Sequence, residues 1–286
     1  MRMTTLKTIL PLALLALSIA PATARDETES YKNIERLEID LLSGSLVLTK
    51  SKTNEVVITA DDDQLDNVRV RGNRLIIDGN GSRRNRRGNY SGFSGGEWVI
   101  AIPDGMEVDF NTASGDLEVS DVSVEMDMNT GSGDIDIDNS KGEFHINTGS
   151  GDIHTETVTF LDDSGFSTGS GRVTGRDITL EGALRMNTGS GDVKLSLSSA
   201  PTHDISLNSG SGDATLNLNG AKLEGTLIMT AGVRSGEIEA PFEFDSEEVV
   251  GRERWNSDYM EKIKEFSKKD IEIKIGTGSG TAKVTN

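Results

Sequence analysis

One short phrase recurs along the chain at a nearly constant interval, and few folds are compatible with such a repeat. The phrase NTGSGD occurs at 129–134, at 147–152 and at 187–192. Variants of it occur at 112–116, 168–172, 209–213 and 277–281. The central serines of the first six copies are at 114, 132, 150, 170, 190 and 211, so the successive intervals are 18, 18, 20, 20 and 21.

Apolar residues between these copies indicate strands rather than helices. They are separated by alternating gaps of two and seven, at Val108, Phe110, Leu117, Val119, Met126, Met128, Ile135, Ile137, Phe144, Ile146 and Ile153. A gap of two places both side chains on one face of a strand, whereas a helix would need gaps of three and four. Each set of nine residues therefore predicts one short strand and one turn, and eighteen residues predict one coil. The pattern resumes at Leu184, Met186, Val193, Leu195, Ile205, Leu207, Ala214 and Leu216.

An antiparallel meander with glycine-rich hairpins is the alternative, because it also has short strands at regular spacing. The similarity of every second turn favours stacked coils. Asparagine precedes the repeat at 111, 129, 147, 187 and 208, with Ser167 as the variant. Stacked coils would align these side chains as an asparagine ladder. We therefore predict an all-β fold, a parallel β-solenoid of about 18–21 residues per coil, in which glycine, serine and aspartate stabilise the turns.

Four regions follow from these patterns: a signal peptide (1–24), a β-rich N-terminal region (25–104), the regular solenoid repeats (105–240), and a capping helix with the final strands (241–286). In the last region Trp255, Tyr259, Ile263 and Phe266 are spaced as on one face of a helix. We predict that this amphipathic helix covers the core or a sheet edge, since the ends of repeat stacks need caps. Docking to a partner or a membrane surface is the alternative.

The N-terminal segment 1–24 is typical of a signal peptide. Arg2 and Lys7 precede a short apolar run, and Ala22-Thr23-Ala24 fits a cleavage site. An N-terminal membrane anchor is the alternative, but the run is shorter than the ~18 residues that a span needs. The chain has no cysteine, so it has no disulfide and no cysteine-linked lipid. We expect an exported protein, either periplasmic or extracellular, with no transmembrane segment after cleavage.

The net charge of the chain excludes one class of partner. The formal net charge is −18 at pH 7, and the predicted cleavage would remove Arg2 and Lys7 with no acidic residue. Nucleic acid requires a basic surface, so we exclude it as a partner. The basic run RRNRR (83–87) is interpreted as a solvated loop, with contact to an envelope polysaccharide or lipid headgroup as the alternative.

The aspartates of the repeat are the strongest candidates for metal binding. Stacking would align Asp116, Asp134, Asp152, Asp192 and Asp213, with Arg172 in the same column. Calcium could stabilise such a column. However, the calcium-binding nonapeptide repeat places its aspartate two residues further along from the glycine, where this chain has Ile135. We therefore predict a solvated column of acids and assign no metal site.

No residue pattern predicts catalysis. The three histidines, His145, His154 and His203, lack metal-ligand spacing, and His145 and His154 are predicted to point outward from strands. Acidic residues are too frequent for any pair to stand out as acid and base. We therefore assign no catalytic residues and no cofactor, and we predict that the protein is not an enzyme.

The phrases TASGDLEV (112–119), NTGSGDIDI (129–137) and NTGSGDVKL (187–195) resemble a bacterial family of proposed adhesins with β-strand repeats, similar to autotransporter adhesin heads. The resemblance covers roughly residues 34–286, including LLSGSLVLTK (41–50). It implies a β-solenoid outside the cytoplasm and no catalytic residues. The combined prediction is a non-enzymatic, exported protein that binds or scaffolds the envelope, with a polysaccharide or another surface protein as partner. The alternatives are a calcium-stabilised repeat module and, third, a polysaccharide-active enzyme.

Overall fold

The computed structural model describes residues 26–79, 96–252 and 257–286. The predicted signal peptide, the basic run at 83–87 and Trp255 lie outside these residues. Within them, no helix has the length and apolar character that crossing a bilayer requires. Almost all regular structure is β-strand, which confirms the predicted all-β class.

The described residues form 26 strands and one helical turn, α1 (Asp62–Leu65). The strands are β1 (Asp26–Lys32), β2 (Arg36–Ser43), β3 (Ser45–Lys50), β4 (Glu55–Asp61), β5 (Val68–Arg71), β6 (Arg74–Asp78), β7 (Glu97–Ile102), β8 (Met106–Ser114), β9 (Leu117–Ser120), β10 (Ser123–Ser132), β11 (Ile135–Asp138), β12 (Lys141–Ser150), β13 (Ile153–Glu156), β14 (Thr159–Phe160), β15 (Ser164–Thr168), β16 (Val173–Leu180), β17 (Leu184–Thr188), β18 (Val193–Leu197), β19 (Ile205–Ser209), β20 (Ala214–Asn217), β21 (Thr226–Gly232), β22 (Glu237–Glu239), β23 (Ser246–Arg252), β24 (Ser257–Glu265), β25 (Glu272–Thr277) and β26 (Thr281–Thr285).

Strands one coil apart pair in parallel, and consecutive strands of the array lie in different sheets. For example, β10 pairs with β8 and β12, so that Met126 lies opposite Val108 and Phe144. Its successor β11 pairs instead with β9 and β13. The exception is β14, which pairs in sheet B with β12 and with the end of β16 and is followed by β15 in the same sheet. Sheet A has the order β1-β4-β7-β3-β9-β11-β13-β16-β18-β20-β26-β22. Sheet B has the order β5-β6-β2-β8-β10-β12-β15-β17-β19-β25-β21-β24-β23. The array is therefore solenoid-like rather than a meander of hairpins.

The core lies between the two sheets, on the inside of the coils. All the apolar positions predicted to point inward are buried. Where the repeat lengthens, between Ser150 and Ser170, Phe160 and Phe166 join Phe144 in the core, with ring centroids 5.3–6.5 Å apart. Because each coil contributes few large side chains, most of its apolar burial depends on the coils above and below it.

The glycine corner, which consists of the TGSGD turns, holds successive coils in direct backbone contact. A Cβ atom added to Gly133, Gly151 or Gly171 would lie 2.0, 1.9 or 1.8 Å from the carbonyl oxygen of the matching glycine in the preceding coil. We predicted glycine here for its freedom to adopt positive φ, and Gly133 does have φ of 148°. However, the requirement that all these glycines share is the close approach of the backbone of the preceding coil.

A second corner joins sheet A to the following strand of sheet B, and it uses left-handed residues. Asp121, Asn139, Thr157 and Asp177 have φ between 45° and 59° and lie one coil apart. Asparagine and aspartate tolerate this region better than other non-glycine residues. Asn139 also donates a side-chain hydrogen bond to Asp121 (2.5 Å). Thr157 is β-branched and is therefore the strained member of the second corner.

Two coils lie out of chain order, one near each end of the stack. The coil of β2 and β3 lies between that of β6 and β7 and that of β8 and β9. Likewise, the coil of β25 and β26 lies between that of β19 and β20 and that of β21 and β22. Each displaced coil therefore has parallel partners on both sides.

The predicted C-terminal capping helix is wrong. The segment forms the hairpin of β23 and β24, and β24 pairs antiparallel with β21. A spacing of four, as between Tyr259 and Ile263, places two side chains on one face of a strand as well as of a helix, so the spacing did not separate the two. A strand also satisfies the open backbone groups of β21, which a helix cannot do. Phe242, Phe244 and Phe266 pack beside the hairpin against the end of the core.

Replacement of Gly151 by alanine is expected to lower the free energy of unfolding by roughly 3 kcal/mol or more, because the new Cβ would collide with the preceding coil. Gly165→Ala is the matched control. Its Cβ would lie 3.8 Å from Nδ1 of His145, and we expect a change below about 1 kcal/mol. Urea unfolding followed by circular dichroism measures both values. Equal effects of the two substitutions would contradict a stacking role for the glycine corner.

Candidate binding surface

An asparagine ladder runs along one side of the glycine corner, as predicted. Asn129 donates to Asn111 (3.2 Å), Asn147 donates to Asn129 (3.3 Å), and Asn208 donates to Asn187 (3.2 Å). Asn111 extends the ladder to Asp40 in the displaced coil (3.3 Å). These amides lie at the surface, but they bond to one another along the stack and so hold neighbouring coils in register.

The aspartate column on the other side of the glycine corner is used by the backbone. The N–H of Asp134 donates to Oδ1 of Asp116 (2.9 Å), and the N–H of Asp152 donates to Oδ1 of Asp134 (2.9 Å). Asp192 accepts from the N–H of Asp213 in the same way (3.1 Å). Each carboxylate therefore satisfies a backbone donor of the next coil, which is a structural reason for the repeated aspartate.

Arg172 interrupts this column and pairs with the aspartate before it. Its Nη2 lies 2.8 Å from Oδ2 of Asp152, and its backbone N–H donates to Oδ1 of the same carboxylate (2.8 Å). The backbone hydrogen bond and then the guanidinium hold the pKa of Asp152 below its usual value. A hydrogen bond from Lys194, followed by one from the N–H of Asp213, lowers the pKa of Asp192. Cationic side chains of the chain itself thus compensate part of the column's charge.

The threonine of the repeat has a role that the sequence analysis missed. Thr168 is buried; its Oγ1 donates to the carbonyl oxygen of Gly151 (2.9 Å) and accepts from the N–H of Gly171 (3.1 Å). Thr188 makes the same two bonds one coil later. We had assigned this role to the serine of the turn, but serines such as Ser150 and Ser170 are exposed. The sequence signal was the threonine itself, which recurs at the same place in the repeat. A hydroxyl at a buried position has to be hydrogen-bonded, because burial without a partner is costly.

The histidines lie apart from one another. His145 on the outer face of sheet B contacts Glu143 (2.8 Å), and His154 on the outer face of sheet A contacts Glu156 (3.3 Å), so both point outward as predicted. His203 is exposed and contacts Thr202 (3.0 Å). Among residues 26–79, 96–252 and 257–286, no three acidic, histidine or cysteine side chains converge in a way that could hold a metal ion.

A cluster of carboxylates lies on the outer face of sheet B near its N-terminal end. Glu107, Glu125 and Glu143 lie opposite one another on β8, β10 and β12, and Asp109 and Asp127 form a second column beside them. We call these five residues the acidic columns. Partial desolvation, followed by repulsion from Glu143 and Glu107, raises the pKa of Glu125.

Arg36 limits the acidic columns at one end. Its Nη1 lies 2.5 Å from Glu107, and its Nε lies 3.0 Å from Asp109. Those two carboxylates therefore have a fixed cation beside them, whereas Glu125 lies between like charges. The result is a flat, regular face with carboxylates at strand spacing, which is suited to contact with hydrogen-bond donors or cations of a partner.

One protein family and several solved structures match this chain over most of its length. The family described as Toastrack DUF4097 matches residues 34–285. A proposed adhesin from Bacteroides fragilis is 14% identical, with 92% of this chain and 98% of that chain covered and a TM-score of 0.47. A proposed lipid-binding protein from Parabacteroides distasonis is 17% identical, with 91% and 97% covered and a TM-score of 0.45. A proposed cell adhesion protein from Clostridium sporogenes is 15% identical, with 91% and 98% covered and a TM-score of 0.30. No curated protein matches the chain.

Substitution of Asp134 separates the two roles of the aspartate column. Asp134→Ala removes the acceptor for the N–H of Asp152, and we expect a loss of about 1 kcal/mol of stability. Asp134→Asn keeps an acceptor oxygen and removes the charge, so its stability should stay close to that of the wild type. Thermal unfolding with calcium and with chelator measures both variants. A calcium-dependent rise in the wild-type melting temperature, absent in both variants, would instead support a cation-stabilised module.

Replacement of Glu125 by glutamine is expected to stabilise the protein at neutral pH by roughly 0.2–1 kcal/mol, because it removes a cross-strand repulsion. The folded pKa of Glu125 is raised, so ionisation of this carboxylate weakens the folded state as pH rises through that value. The difference from the wild type should therefore vanish at acidic pH, where Glu125 is protonated in the folded and the unfolded chain. Glu181→Gln, at an exposed site outside the acidic columns, is the control. A pH-independent difference would contradict the electrostatic explanation.

Proposed function

The chain belongs to the Toastrack DUF4097 family, and from that premise we propose that it is an exported, non-enzymatic protein that binds or scaffolds components of the bacterial envelope. Its finer architecture, a parallel β-solenoid with the coil length expected from the sequence, is part of this proposal.

One observation carries the proposal: the repeated polar residues are used in contacts between coils. Thr168 and Asp134 bond backbone groups of neighbouring coils, and Asn129 bonds the asparagines on either side. A repeat of this kind stabilises a long flat surface and leaves its polar groups little freedom for chemistry. Recognition therefore falls to side chains of the outer faces that do not make these contacts between coils.

The acidic columns are the strongest candidate for the contact face. Because ionised Glu125 is repelled by Glu143 and Glu107, a partner that supplies hydrogen-bond donors or cations would relieve this repulsion. Hydroxyl-rich polysaccharide and cationic patches of another surface protein both provide such groups. Export is supported by the N-terminal pattern of Arg2 and Lys7, an apolar run and Ala22-Thr23-Ala24.

Retention on isolated envelope fractions tests the proposal. We expect the purified protein to co-sediment with the envelope, and Glu125→Lys with Glu143→Lys to weaken retention about tenfold or more. The matched control is Glu118→Lys with Asp136→Lys, which makes the same charge change on the outer face of sheet A. Periodate or protease treatment of the envelope distinguishes polysaccharide from protein partners. Absence of retention, or equal loss with both double variants, would refute the assignment to the acidic columns.

A further inference from the structure

We infer that copies of this chain associate end to end, with β5 of one copy pairing antiparallel with β23 of the next. This inference goes beyond the proposed function, because it concerns the ends of the stack rather than its outer faces. Sheet B is open at both edges within the described residues: β5 has β6 as its one partner, and β23 has β24. An edge strand presents a row of backbone donors and acceptors that another strand can use.

Each edge strand places an exposed valine on the face of sheet B that elsewhere forms the core. Val70 lies opposite the fully buried Leu75, so it points to the core side, yet it is 49% exposed. Val249 lies opposite Met260, which in turn lies opposite the buried Ala231, and it is 55% exposed. Both valines are uncovered because the sheet ends beside them, and a continued sheet would cover them.

The directions of the two edge strands suit such a junction. β5 runs antiparallel to β6, which is parallel to the long series of strands in sheet B. β23 runs antiparallel to β24, which is itself antiparallel to β21, so β23 runs in the same direction as that series. Two copies in the same orientation along the stack would therefore bring β5 and β23 together as antiparallel neighbours.

One register satisfies both faces of the junction. If Val70 lies opposite Val249, the two core-side valines contact each other. Arg71 then lies opposite Glu248 on the outer face, because directly opposed residues of an antiparallel pair share a face. The same register sets Arg69 opposite Val250, which is 38% exposed and can pack against the arginine stem. The same register therefore pairs opposite charges on the outer face and apolar side chains on the core side.

The two ends of the stack are also stepped in opposite senses, since sheet A protrudes at one end and sheet B at the other. At one end, β1 extends sheet A one strand beyond β4, which lies in the same layer as β5. At the other end, β24 and β23 extend sheet B two strands beyond the layer of β21 and β22. The strand that protrudes from sheet A would therefore occupy one of the two strand positions that sheet A of the next copy lacks beside β24 and β23.

A junction between two different edges, made by copies in the same orientation along the stack, does not pair the two ends of a row with each other. The row keeps a free β5 at one end and a free β23 at the other, so addition can continue. The expected product is an open-ended row of copies rather than a symmetric dimer.

Sedimentation velocity of the purified full chain over a range of concentrations tests this inference. We expect the average mass to rise with concentration beyond that of a dimer. Arg71→Glu and Glu248→Arg should each weaken association about tenfold or more, because each places like charges at the junction. Mixing the two variants should restore association, since the introduced glutamate of one copy then meets the introduced arginine of the other. Arg185→Glu, which makes the same charge change on the outer face in the middle of sheet B, is the control and should associate like the wild type.

Three outcomes would overturn the inference. The first is a wild-type protein that remains monomeric at every concentration. The second is association that stops at a dimer, which would indicate a symmetric contact between like edges. The third is failure of the mixed variants to associate while each retains the wild-type melting temperature, which would show that Arg71 and Glu248 do not meet.

Discussion

Backbone rests directly on backbone at the glycine corner, where the carbonyl oxygen of one glycine occupies the space that a Cβ atom would need in the following coil. This contact fixes both the separation and the register of successive coils. Once Gly133 and Gly151 are aligned, the aspartate that follows each of them is aligned as well, and its carboxylate meets the next backbone N–H. The asparagine ladder and the buried threonines follow from the same alignment, so the polar columns depend on the glycines rather than the reverse.

Much of the stack was predictable because side chains alternate between the two faces of a strand with a period of two residues. Gaps of two and seven identified the inward residues without error, and the recurrence of asparagine every second turn identified which strands are neighbours. The same arithmetic explains the failure at the C-terminal end. Tyr259 and Ile263 are four residues apart, an even number, so their spacing is compatible with a strand; only the step of three to Phe266 indicated a helix.

Some other features have a signal in the sequence that was interpreted only in part, and others have no such signal. The left-handed second corner is visible as Asp121, Asn139 and Asp177 at the coil interval, and the buried threonine repeats as regularly as the glycine beside it. The positions of the displaced coils, by contrast, have no signal in the sequence. Residues 272–285 carry the same apolar alternation as their neighbours, and nothing in that alternation specifies which coils they will lie between. Relative order along a stack of similar coils depends on loop lengths and end contacts, which periodicity does not encode.

The insertion of β25 and β26 between two earlier coils bears on how the molecule is assembled in time. Synthesis releases β25 and β26 after the coils on both sides of them, yet their place is between those coils, with a parallel ladder on either side. Until they arrive, the coils on each side lack a neighbour and a stretch of core is open to water. β25 and β26 therefore close a gap between coils that formed before them, and their release requires both ladders to break at once.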